Sequence, residues 1–111
     1  MKINFGAKIL GIDGKTIPDG ERNLTLGAVC CTALLASYPD ETNLEAALKV
    51  KRFRLAEIAV KNKEQELPVD DIAELKRLIA KAFGPLIVGR AFDLIEPVVG
   101  SSEKKKSEVE S

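Results

Sequence analysis

Apolar residues recur along this chain in four helical stretches, preceded by one short alternating segment. In that segment Ala7-Lys8-Ile9-Leu10-Gly11-Ile12 and Lys15-Thr16-Ile17 flank Asp13-Gly14, a dipeptide that supplies the positive φ angles of a tight hairpin turn. The pattern predicts a small N-terminal β-hairpin. Its second arm ends at Pro18-Asp19-Gly20, because proline offers no ladder N–H and glycine permits a reversal. A lone hairpin is marginal in water, so this one must lie on helices or pair with another chain.

The first helical stretch runs from about Leu24 to Ser37, with Thr25 as its N-cap and Tyr38-Pro39 as its stop. No face of it carries a charge, which predicts a helix surrounded by other elements at the centre of the core. Thr42-Asn43-Leu44-Glu45 has the spacing of a capping box, and a second helix follows from about Asn43 to Lys61. Leu44, Ala47, Leu48, Leu55, Ile58 and Ala59 form one apolar face of it; Ala46, Val50, Phe53 and Val60 form another on the opposite side. A helix with two apolar faces needs two neighbours, and the second face is therefore either internal or a contact surface. Lys51 falls within the first face, where it must snorkel, meet a carboxylate or sit at an interface rim. Glu45 with Lys49 and Glu57 with Lys61 have the spacing of ion pairs along the helix.

Asn62 to Glu66 is polar and reads as a loop, and Asp70 is the expected N-cap of a third helix. Ile72, Leu75, Leu78, Ile79, Ala82 and Phe83 form its single stripe. Gly84-Pro85 ends it and starts a fourth, from about Pro85 to Ile95, with Ile87, Val88, Ala91, Leu94 and Ile95 inward and Arg90, Asp93 and Glu96 outward. The fold class is thus mainly α: a compact bundle of about four helices with a small N-terminal β-hairpin, spanning residues 1–97. Residues 98–111 hold one large apolar side chain and read as a disordered polar tail.

Composition narrows the chemistry. The chain has 111 residues, 17 Lys plus Arg against 17 Asp plus Glu, and no histidine. It lacks the bulk positive field that binds phosphate backbones, and it lacks the commonest general base and metal ligand. Cys30 and Cys31 are adjacent and have neither zinc-site nor redox-motif spacing; they read as core-filling thiols of a reducing compartment. Asp70-Asp71 and Glu64-Gln65-Glu66 lack the ligand spacing of a calcium loop, and the glycines lack the phosphate-cradling spacings. No cofactor, metal or catalytic residue is assigned, and the expectation is a protein that is not an enzyme. The uncharged run Leu24 to Tyr38 is shorter than the roughly 20 residues that cross a bilayer, and no secretory signal is expected. A cytoplasmic protein with no membrane partner is expected. The stretch around Gly84 has helix-turn-helix spacing, but only Arg90 of the would-be reading helix could reach a base or phosphate. A small nucleic-acid-binding regulator is therefore the second reading.

Leu24-Thr25-Leu26-Gly27, Lys51-Arg52-Phe53-Arg54-Leu55-Ala56, Asp70 to Lys76 and Pro85 to Ala91, taken in succession, resemble small uncharacterised proteins encoded by tailed bacteriophages and prophages. The resemblance covers most of residues 1–97. It implies a virion or tail-assembly component, an assembly helper or a host-directed regulator, located in the host cytoplasm or on the virion. The first reading is accordingly a protein that binds another protein, either its own copy in a homo-oligomer or another phage protein. Its candidate contact residues are Ala46, Val50, Phe53 and Val60, with Lys51 beside them.

Overall fold

The computed structural model describes residues 1–95. Both the domain limit expected at residue 97 and the tail expected over 98–111 lie outside these residues. The described chain runs β1 (Lys2–Asn4), β2 (Pro18–Asp19), β3 (Arg22–Asn23), α1 (Leu26–Leu35), α2 (Ala46–Ala59), β4 (Glu64–Glu66), α3 (Val69–Ala82) and α4 (Pro85–Ile95). It is a four-helix globule with short antiparallel pairs at its N-terminal side, as the hydrophobic pattern predicts.

The strands differ in detail from the expectation. Around Asp13-Gly14 the chain turns, with Gly14 at φ +81° and Gly11 N–H donating to Lys15 C=O at 2.8 Å, but Asp13 does not take the positive φ expected of it, which among non-glycine described residues only Asn62 adopts. Only Leu10 and Thr16 face each other there as a bridge, and the hairpin ladder forms one turn later between β2 and β3, around Gly20 at φ +66°. Pro18, which has no N–H to donate, is tolerated because it is the first residue of a two-residue edge strand. The segment expected to be a loop at 62–66 supplies β4, which pairs with β1 in the register Ile3 opposite Gln65. Asn62, at φ +53°, turns the chain out of α2 and into that strand.

The helices follow their apolar spacing. Thr25 caps α1, its hydroxyl accepting from Ala28 N–H at 3.2 Å. Leu26, Val29, Cys30, Ala33 and Leu34 are buried, and α1 packs on α2, α3 and α4. It is central but not fully surrounded, since Thr32, Leu35 and Ala36 reach solvent. The expected capping box is not made: α2 starts at Ala46, and Glu45 precedes it without a side-chain cap bond. Pro68 takes the place expected of Asp70 before α3, and Asp70 and Asp71 lie in the first turn, where carboxylates face the positive end of the helix dipole. Ile72, Leu75, Leu78 and Ile79 of α3 and Ala91 and Ile95 of α4 join Ile3, Phe5, Ile9 and the α1 residues in one core.

Candidate interaction surface

α2 has two sides with different work. Its inner side buries Leu55, Ala56 and Ala59, with Leu48 and Ile58 half-buried. The opposite side, read from sequence as either internal or a contact surface, faces solvent: Val50 is 53% exposed, Phe53 49% and Val60 63%, and Ala46 is exposed as well. Leu35 of α1, 61% exposed, stands with Phe53 at the rim of a depression of about 320 Å³. A second depression of about 340 Å³ brings Val60 together with Ala28 and Cys31 of α1. The surface thus continues from α2 onto the uncharged outer side of α1.

The fifth candidate departs from the other four. Lys51 turns to the α3 side, where Nζ lies 2.9 Å from Asp71 Oδ1, and the hydrogen bond to that carboxylate raises its pKa. It meets a carboxylate, one of the three outcomes foreseen for it, and leaves the surface to its neighbours. Lys49, by contrast, lines the first depression and has no ion-pair partner among the described residues. Glu57 pairs with Arg54 at 3.0 Å and not with Lys61.

Glu41 and Arg52, which also line the first depression, belong to a charged cluster that sequence reasoning missed. Arg52 is 3% exposed. It donates through both terminal nitrogens to Glu41, at 2.8 and 2.7 Å, and through Nε to Glu74 at 2.9 Å. Arg77 bonds Glu74 at 2.9 Å, and Lys81 bonds Asp40 at 2.8 Å. The fork of Arg52 holds the Glu41 carboxyl far down, at about 2. Burial pushes Glu74 up, but the hydrogen bonds from Arg77 and Arg52 outweigh it and leave it lowered. The hydroxyl of Tyr38 donates to Ala33 C=O at 2.6 Å, satisfying a carbonyl in the last turn of α1. Together these contacts fasten the α1–α2 connection to α3 and fix the wall of the depression. In sequence Arg52 is one cation among six between Lys49 and Lys63; its place on the buried side of α2, next to Leu55 and Ala56, was the available signal.

Elsewhere the candidate chemistry is absorbed by structure. Arg90, expected to face outward, is half-buried and donates to Leu10 C=O at 3.1 Å and Gly11 C=O at 2.8 Å, fastening α4 to the start of the Asp13-Gly14 turn. Burial raises both thiols, Cys30 to about 12, and Cys31 Sγ donates to Ala56 C=O. Neither supplies a thiolate near neutral pH. Among the described residues no three Cys, Asp or Glu side chains gather as a metal site, and no helix is long and apolar enough to cross a membrane. Compared with family models, curated proteins and solved structures, the chain matches none of them.

Proposed function

We propose that this chain is a non-enzymatic protein–protein contact module whose working surface is the outer side of the α1–α2 pair. The observation that carries this reading is the exposure of Val50, Phe53 and Val60 beside Leu35. Large apolar side chains exposed on one helix, with one depression beside Phe53 and Leu35 and another beside Val60, mark a place where another protein excludes water. The setting we propose is that of a tailed-phage or prophage product, a virion or tail-assembly component or an assembly helper, in keeping with the resemblance carried by its four sequence segments. The nucleic-acid reading draws less support, because Arg90 is engaged with two backbone carbonyls and the net charge is +0.

The test compares the native chain with the double variant Val50→Asp and Phe53→Asp. Both positions are exposed, so circular dichroism and thermal unfolding should change little. Association, with itself by light scattering or with a protein from the source cells by affinity capture, should be lost in the variant and should persist at high salt in the native chain. Equal association in both proteins overturns the surface. Binding of the native chain to a duplex or single-stranded oligonucleotide that collapses as salt rises favours the nucleic-acid reading.

A further inference from the structure

The exposed side of α2 is complementary to itself when reversed. Wound at about 100° per residue, Ala46, Lys49, Phe53, Glu57 and Val60 fall within about 80° of one another. All five are exposed. Their spacing is symmetric about Phe53: a cation four residues before it and an anion four residues after, a small apolar residue seven before and a larger one seven after. A two-fold axis through Phe53 therefore sets Lys49 against Glu57 of a second copy and Glu57 against its Lys49, with Ala46 against Val60 at both ends and the two Phe53 rings in contact. A two-fold interface repeats each contact, so one complementary pair becomes two.

We infer that the partner of this surface is a second copy of the same chain, docked with α2 antiparallel to α2 about Phe53. This rests on the contact-surface reading above and names its occupant. Three observations favour it. Lys49 meets no carboxylate among the described residues, although it stands at the rim of the α1–α2 depression. Glu57 engages Arg54 through Oε1, leaving Oε2 for a second cation. Positions 46, 53 and 60 repeat at seven-residue intervals, which keeps one seam facing a partner helix along roughly 21 Å of α2. Leu35, beside Phe53, widens the contact onto α1. Arg54 lies over the Phe53 ring at 5.6 Å.

The experiment is sedimentation of the full chain over a concentration series, together with the charge reversals Lys49→Glu and Glu57→Lys. The native chain should self-associate. Each reversal alone converts two attractive contacts into two repulsive ones and should weaken self-association about tenfold. Mixing the two variants restores both pairs, since the carboxylate introduced at position 49 of one chain meets the ammonium introduced at position 57 of the other, and should return association to near the native strength. A misfolded variant cannot produce that rescue. A native chain that stays monomeric overturns the second copy as occupant, while the contact-surface reading is still decided by capture of a different protein. Self-association that ignores the single reversals, or that mixing does not rescue, overturns the antiparallel pairing.

Discussion

Arg52 and Arg54 are two residues apart on one helix, and their fates show what separates a structural charge from a solvated one. Arg54 lies on exposed surface and pairs with Glu57, an arrangement that contributes little. Arg52 is turned into the protein, and its charge is tolerated because Glu41 and Glu74 occupy all three of its donor groups. Apolar spacing sets Lys51 in the middle of the inner face and Arg52 only at its edge, and it cannot announce Glu41, which comes from an irregular connection whose path only the folded chain fixes. Removing one partner strands the buried guanidinium, so Glu41→Ala should cost about 3 kcal/mol in denaturant unfolding, well above the cost of Glu57→Ala. The Glu41 carboxyl, lowered from 4.5 to about 2, gives stability that is complete above pH 4.5 and is lost as the pH falls through that range. The thermal midpoint should therefore drop between about pH 4.5 and pH 2, and Glu41→Gln should flatten that drop while lowering the midpoint at neutral pH.

At the scale of elements, α3 and α4 were the most legible, because each has a single apolar stripe and an unambiguous breaker between them. The start of α2 was less so. Thr42 and Glu45 have capping-box spacing, yet Glu41, one residue earlier, is held by Arg52, and the helix begins after Glu45. The junction of α1 with its surroundings depends on a residue whose role no periodicity reveals. A Cβ on Gly27 would run into Ala59 C=O and lie 2.5 Å from the Asn62 side chain, and Gly27 N–H donates to Phe5 C=O at 2.7 Å. Three segments meet there at backbone distance, so Gly27→Ala should destabilise by about 1–3 kcal/mol through overpacking. Thr25→Ala, two residues earlier, removes the helix cap and should cost about 1 kcal/mol. Thermal melts of the two variants should rank them in that order.

Across the whole molecule, the least legible feature is the pairing of β1 with β4, in which Lys2 faces Glu66 from the far side of two helices. Glu64-Gln65-Glu66 has no strand-like composition. It pairs because Ile3 and Phe5 are buried to 1% exposure and the backbone between them needs a ladder partner within reach. Phe5→Ala should then cost about 3–5 kcal/mol and lower the unfolding of sheet and helices together, so far-ultraviolet and tyrosine signals should report one coincident transition. Separate transitions would mean that the N-terminal strand is an appendage. The same closure has a consequence for biosynthesis. The first strand emerges from the ribosome about sixty residues ahead of its partner, and Leu10 and Gly11 wait longer still for Arg90. At roughly 5–20 residues per second, the uncharged α1 is outside for several seconds before its covers are made. During that interval the nascent chain is a client for whatever shields apolar helices in the cell, and the protein completes itself only when its last described helix arrives.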